Sequence, residues 1–528
     1  MQTTPRGLAT LALLKTRFEE KRDHIDLLVP FVLDALANCE SEFFLPEEIC
    51  TLMKQRSLSI PIDTARLVLR RLVLHQGLLK EAGGCFWRNT RTPIPDPQLE
   101  EKCVAIRARH RELALALQSF AKQSGVQLAT SEKALSALAD FIADYKAPLL
   151  LQEPVPDSPL ERTARSKRKL IRTIARFISE QCLTSEQLRS SLEELVDGMV
   201  LQDTLMLRDV SSVGPWFRGL QVALDTPVLF AAIHLYGAAS SVATNEGLTL
   251  LREAGAVTFA FKQTVSEMRR ILKPYESRLG TVQGQLDLRR SSPLTEHCLS
   301  NRLGPSDIYI ISETLEKRLE VQGVSVREMP ERNVRFTLNE GALAEALVDR
   351  YHDRYQQRIL HDVACVVGVH TLRAGRHVSS MIETSGAVFC TTSGQVIHNI
   401  QECYAQEEDG APPIVHQFAL SSLAWFKKPA AARGVKLHEL ADVCAAVLRP
   451  TPETYQKFTD TLRNLWKSKV YLDNATVAIL SSRLVGELLA KIDEDMEPDA
   501  DTMTQTIERI LQLETEAAVR QAQATLFE

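Results

Sequence analysis

Three acidic residues, Asp225, Glu267 and Asp362, stand where a chain of this kind can gather chemistry. Val222, Ala223 and Leu224 predict a short buried parallel strand, and Asp225-Thr226-Pro227 then predicts the start of an amphipathic helix ending near Gly237. A carboxylate at the carboxyl end of a strand sits where open α/β sheets place their ligands. The same residues also make an ordinary helix start, with Asp capping free N–H groups and Pro just inside. The pattern recurs. Ala256 to Phe261 predicts a second strand, and the helix after it carries Thr264 and Glu267 at capping-box spacing. Leu360-His361-Asp362 predicts a further helix start. Ala387 to Cys390 predicts a strand running out into Thr391-Thr392-Ser393-Gly394, and Pro412 to Val415 a last short strand. Carboxylates and hydroxyls brought together at one sheet edge are oxygen donors, the kind that hard divalent cations take.

Positioning such residues needs a folded scaffold, and the composition supplies one. The chain has 528 residues, 45% hydrophobic and 24% charged, enough for about two to four domains. Lys plus Arg number 62 and Asp plus Glu 67, a net charge of −5, so a nucleic-acid partner has to be met by local basic patches. The ten Cys are scattered without CxxC or zinc spacing and read as reduced, mostly buried thiols of a cytoplasmic protein. The apolar run Leu8 to Leu14 is too short for a membrane span and is followed by charge, and no phosphate-binding GxxxxGK[ST] loop occurs.

Ahead of the first acidic residue, 24–40 predicts a helix, Pro46 to Lys54 and Pro61 to Gln76 two more, and Leu78 to Trp87 a hairpin around Gly83-Gly84. Helix, helix and two short strands resemble the winged helix-turn-helix pattern over roughly 41–90. Arg66, Arg70 and Arg71 on the second helix, with Arg88 and Arg91 near the wing, are candidates for phosphate contact, and docking to protein is the competing use. From Gln98 to about Ser211 the pattern is helical, broken by EPVPDSPL at 153–160 as a linker. Arg162, Arg165, Lys167, Arg168, Lys169, Arg172 and Arg176 follow, a basic run read first as a solvated face. Beyond Ser421 helices return, and Ile492 to Asp501 reads as an acidic linker.

Read together, LDTPVLF, TVSEMRRIL, HDVACVVGVHTLRAG and VFCTTSG resemble the PIN nuclease family, over roughly residues 215–430 with an insertion near 275–355. The resemblance implies an α/β domain with a parallel sheet flanked by helices. It also implies Mg²⁺ or Mn²⁺ held by Asp225, Glu267 and Asp362, with Thr391 and Ser393 completing the catalytic set. Ser393 stands where many members carry a further Asp. Thr226 and Thr391 are hydroxyls suited to orienting a carboxylate or a metal-bound water. Arg269, Lys273, Arg373 and Arg376 are candidate phosphate contacts, while His361 reads as a supporting or packing residue. The expected whole is multidomain and mostly α: a winged-helix-like part over 1–95, a helical connector over 96–214, the PIN-like domain over 215–430 and a helical region over 431–528.

The expected activity is metal-dependent endonucleolytic hydrolysis, of RNA more than DNA, in a toxin-like effector of bacterial defence. No membrane partner is expected. The helical regions are the expected surfaces for a protein partner or a second copy. The rival expectation is an inactive PIN-like DNA-binding or scaffolding protein working through its winged helix, with the acids surviving as caps.

Overall fold

The computed structural model describes residues 5–20, 24–39, 41–55, 58, 60–74, 76–95, 97–151, 165–206, 216–217, 219–288, 291–331, 333, 338–351, 356–374, 382–407, 410–427, 434–495 and 499–526. The 153–160 stretch, Arg162, Asp353 and Arg376 lie outside them. The chain is mostly helical and carries two sheets. No described helix is long and apolar enough to cross a membrane.

The N-terminal apolar run is part of a helix, Pro5–Glu20, with Leu8, Leu11 and Leu14 in the core. It lies against Glu186–Met206 at Gly198, where a Cβ would come within 2.5 Å of the Leu11 carbonyl. Only glycine permits that approach.

The first sheet is small and antiparallel. Strands β1 (Phe43–Phe44), β2 (Leu79–Ala82) and β3 (Cys85–Arg88) lie in the order β1-β3-β2. Ala82 pairs with Cys85, so Gly83 and Gly84 form a two-residue turn, with φ of 60° and 79° as such hairpins require. The helices Pro46–Gln55 and Ile62–Leu74 precede the hairpin in the expected order. β1 is too short to leave a periodic signal.

Of the arginines there, Arg91 is exposed, three make exposed or half-exposed ion pairs of little strength and Arg88 is held by backbone. Arg66 pairs with Asp63 at 2.7 Å, Arg70 with Glu81 at 3.2 Å and Arg71 with Asp26 at 3.1 Å. Arg88 donates to the carbonyls of Ser41, Leu36 and Cys39, so it anchors backbone and does not point from the wing. In the basic run after the linker Lys167 is exposed, as a solvated face requires, and Arg172 is the exception. Arg172 is fully buried, donating to the Ala490 and Arg449 carbonyls and pairing with Asp493 at 3.1 Å, which ties the Arg165–Phe177 helix to the C-terminal region.

The second sheet is parallel, with β4 (Gln221–Leu224), β5 (Val257–Phe261), β6 (Ser325–Arg327), β7 (Ala387–Thr391) and β8 (Ile414–His416) in the order β6-β5-β4-β7-β8. Alternate residues serve opposite faces. Val222, Leu224, Val388 and Cys390 join the large core shared with the N-terminal helices, while Ala223, Phe259, Phe261 and Phe389 join a second core. Both faces are covered, hence the continuous apolar runs. Edge strand β6 comes from within the 275–355 stretch read as an insertion. A third core, around Tyr455, Phe458, Ile479 and Ile507, holds the C-terminal helices together.

His110, buried in the Leu99–Gln123 helix, has no hydrogen-bond partner for either ring nitrogen among the described residues. Burial, and secondarily Arg109, lowers its pKa from 6.5 to about 4. The folded value lies below the unfolded one, so its contribution is complete above pH 6.5 and is lost as pH falls to about 4. We expect His110→Leu to remove an acid-sensitive component of about 3 kcal/mol. Urea unfolding at neutral pH and near pH 4.5 checks this; an unchanged pH slope in the variant rejects it.

Candidate metal centre

The chain runs from β4 outward through β5 to β6, then crosses back to β7 and β8, so the strand order reverses between β4 and β7. A crevice opens at such a reversal, beyond the carboxyl ends of the strands. Asp225 follows β4 there, and Thr391 ends β7 beside it.

Asp225 caps the Thr226–Ala232 helix, its Oδ1 accepting from the Thr226 N–H at 2.7 Å. Its Oδ2 accepts from the Thr391 hydroxyl at 2.6 Å. Capping therefore uses one oxygen and β7 fixes the other. Glu267 is buried on the Lys262–Arg278 helix, and Thr226 Oγ1 donates to its Oε2. The capping-box expectation fails here: that helix begins at Lys262 with Phe261 as its cap, so Thr264 and Glu267 are already inside it. Asp362 is buried too, but it does not open a helix. Its helix is Gln356–Arg373, because the good helix formers Gln356, Gln357 and Arg358 extend it upstream.

His361 sits at the hub and is more than packing. Its Nδ1 lies 3.0 Å from Asp362 Oδ1 and 3.3 Å from Glu267 Oε2, and its Nε2 lies 3.0 Å from Thr264 Oγ1 and 3.4 Å from Cys365 Sγ. Burial opposes its protonation, but Cys365, Asp362 and Glu267 outweigh burial and raise its pKa. Burial, reinforced by Asp225, raises Asp362. The visible signal was His361 and Cys365 at i, i+4, which places both on the helix face that meets Thr264.

Ser393 donates its backbone N–H to Thr391 Oγ1 at 3.2 Å, and its own Oγ is buried without a hydrogen-bond partner among the described residues. His416, at the end of β8, holds the same turn: its Nε2 lies 3.1 Å from the Thr392 carbonyl and its Nδ1 accepts from the Phe418 N–H at 3.0 Å. Burial lowers its pKa to about 4, so the neutral ring keeps both bonds. The sequence reading had no role for it.

The expected phosphate contacts are placed elsewhere. Arg373 is buried and donates to the carbonyls of Ala387, Ala411 and Pro412. Arg269 pairs with Glu316 at 3.0 Å and Lys273 with Glu276 at 3.1 Å, both at the surface. Arg270, half-exposed, reaches Glu267 at 3.4 Å.

Asp225, His361 and Asp362 each offer a ligand atom, all within 4.8 Å of one another, and are the group of this kind among the described residues; Glu267, expected as a ligand, falls outside it and touches it through His361. The three buried carboxylates have one imidazole and two guanidinium groups near them, Arg270 at Glu267 and Arg358 acting on Asp362. Their oxygens and the unpartnered Ser393 hydroxyl fit a hard divalent cation, and the imidazole makes Mn²⁺ at least as suitable as Mg²⁺. No family model matches this chain, and no curated protein or solved structure matches it.

Proposed function

We propose that the chain is a divalent-metal-dependent nuclease with a PIN-like α/β domain, hydrolysing phosphodiester bonds of RNA in preference to DNA. The observation that carries this reading is the burial of Asp225 and Asp362 within 4.8 Å of each other, with buried Glu267 against His361 beside them, at the reversal point of a parallel sheet. Buried like charges are costly unless a cation compensates them. Asp225, Glu267 and Asp362 would hold Mg²⁺ or Mn²⁺, and a bound ion of this kind supplies an activated water and offsets charge on the leaving oxygen. Thr391 and Thr226 fix the rotamers of Asp225 and Glu267 by donating to them. Ser393 offers its free hydroxyl to water or to a phosphate oxygen. His361 spaces Asp362 from Glu267. The preference for RNA, and a place as a toxin-like effector in bacterial defence, rest on the family resemblance and the multidomain build.

The same His361 also favours a second reading, an inactive scaffold. A protonated imidazole against Asp362 and Glu267 is an internal cation that satisfies the site without a metal. In that reading the N-terminal winged-helix-like part docks protein. Phe43 and Trp87 lie there with ring centroids 5.2 Å apart, tilted at 36° and both exposed, an apolar contact surface.

Incubating single-stranded RNA, single-stranded DNA and duplex DNA with the protein and Mn²⁺ or Mg²⁺ separates the readings. Metal-dependent cleavage, fastest on RNA and lost in Glu267→Gln, is expected. A wild type inert with both ions, binding Mn²⁺ no tighter than Glu267→Gln, would replace the nuclease with the scaffold.

A further inference from the structure

A cavity of about 980 Å³, at the top of the range for ligand-holding cavities, is lined by His234, Tyr236 and Gly237, which follow the short helix that Asp225 caps. Its walls come from far-separated parts of the chain: the end of Leu99–Gln123, the turn after Thr226–Ala232, the Pro293–Ser300 helix, the end of Val435–Val447 and the Leu484–Asp495 helix. It is therefore built by the helical regions together with the sheet domain.

Two observations tie it to the candidate metal centre. The Ala238–Glu253 helix has to return from the carboxyl edge of the sheet to deliver Val257 beside Gln221, so its Gly237 end, which lines the cavity, lies on the Asp225 side. Tyr236, also in the lining, stacks on Phe230 at 5.6 Å, and Phe230 belongs to the short helix that Asp225 caps. That helix has seven residues and spans about 10 Å. Burial raises the Tyr236 pKa first of all, and Asp225 raises it further while Arg358 and Arg449 lower it.

The lining carries four basic side chains, Arg176, Arg449, Arg483 and Lys491, against three acids, Glu180, Glu296 and Glu487. Arg483 is exposed and makes no ion pair among the described residues. Arg449 shares Glu296 at 3.4 Å and Lys491 shares Glu487 at 2.8 Å, exposed or half-exposed pairs of little strength that a phosphate oxygen can replace. His297 and His234 face each other closely enough that His234 adds to burial in lowering the His297 pKa. Arg483 stands just before the Leu484–Asp495 helix and Lys491 eight residues on, about 12 Å along its axis, while Arg449 lies on the turn after Val435–Val447, a spacing that matches a chain of phosphates better than one bound anion.

We propose that this cavity seats the phosphodiester backbone of a single RNA strand on its way to Asp225, Glu267 and Asp362. Arg483, Lys491 and Arg449 are its phosphate contacts, and Tyr236 is the surface over which the strand passes to the carboxylates. This rests on the nuclease reading for its choice of ligand, but its test does not require cleavage.

The test is fluorescence anisotropy of a short fluorescein-labelled single-stranded RNA in EDTA, with full-length wild type, Arg483→Ala/Lys491→Ala and a control lacking two exposed lysines outside the cavity, Lys457→Ala/Lys467→Ala. Losing two phosphate contacts should weaken binding at least about tenfold at low salt and make the slope of log K against log salt shallower by about 1.4. The control should keep the wild-type slope, and melting curves should be the same for all three. Wild-type affinity and slope in the Arg483/Lys491 variant would overturn the proposal, as would equal losses in the control. Binding of a free mononucleotide or inorganic phosphate without binding of RNA would also overturn it, in favour of a small-anion site. Binding that depends on Arg483 and Lys491 in a wild type that cleaves nothing keeps the strand seat and removes the nuclease. Cleavage with unaltered binding in the variant does the reverse.

Discussion

Asp225→Asn should leave the chain folded and lower metal-dependent cleavage by at least about 10³-fold, about 4 kcal/mol of transition-state stabilisation. The substitution is close to isosteric, and its consequences for folding and chemistry separate cleanly. For the fold, Asn caps a helix as well as Asp, so its amide oxygen can still accept from the Thr226 N–H. The Thr391 hydroxyl, which donates to the other carboxylate oxygen, can turn and accept from the amide instead. One of three buried negative charges disappears, so the melting temperature should stay level or rise. For the chemistry, an amide oxygen carries no charge for a hard cation. If Asp225 were only a cap, both cleavage and stability would be untouched. The decisive pair of measurements is kcat/KM with Mn²⁺ and the melting temperature without metal. Cleavage retained within about tenfold would return Asp225 to the role of a helix cap. Thr391→Val should show a milder form of the same pattern, weakening Mn²⁺ affinity about 10–100-fold, because it frees one Asp225 oxygen from its orienting donor.

How far the site was legible depended on the range of each interaction. β4, β5, β7 and β8 are continuous apolar runs because both faces of the parallel sheet are covered, and that signal lies within a few consecutive residues. The Asp225 turn was readable for the same reason: cap, Thr and Pro follow one another. Glu267 was found by position but given the wrong local partner. Capping-box spacing is a property of sequence, whereas whether a helix starts at Thr264 or at Lys262 depends on where β5 ends, and that is set by pairing with β4 and β6. His361 was undervalued because its partners, Thr264 and Glu267, lie about a hundred positions away on another helix. β6, unlike the equally short but buried β8, is an exposed to half-buried edge strand of Ser325, Val326 and Arg327 with no apolar run, and β1 has only two residues. Charge was the least legible property. An arginine run predicts a wet face, yet Arg172 is the polar hub between two helical regions because three acceptors converge on it.

Arg373 is the second residue whose removal should matter most, and the expected pattern is the opposite of that for Asp225. Its guanidinium is 1% exposed and donates to Ala387, Ala411 and Pro412 at 2.7, 2.5 and 2.9 Å. Ala387 begins β7, and Ala411 and Pro412 lead into β8. One planar group therefore fixes where the two strands begin, and with them where Thr391 emerges beside Asp225. Burial lowers its pKa to about 10, so the side chain remains charged at neutral pH and bears a desolvation cost. That cost works against the three bonds, but removing the side chain takes the donor from the Ala411 and Pro412 carbonyls and leaves Ala387 only the long Ser385 contact at 3.4 Å, each lost bond worth about 1–3 kcal/mol. The carbonyls win, and Arg373→Met should destabilise by about 3 kcal/mol or more in urea unfolding. Arg373→Lys should recover only part of this, because an ammonium on a flexible stem cannot match the three directions of a fork. Cleavage by the surviving folded fraction should be little changed. A phosphate-contacting arginine predicts the reverse, unaltered stability with weakened binding of RNA. Unfolding midpoints and KM measured on the same two variants decide between an arginine that holds the sheet and one that holds the substrate.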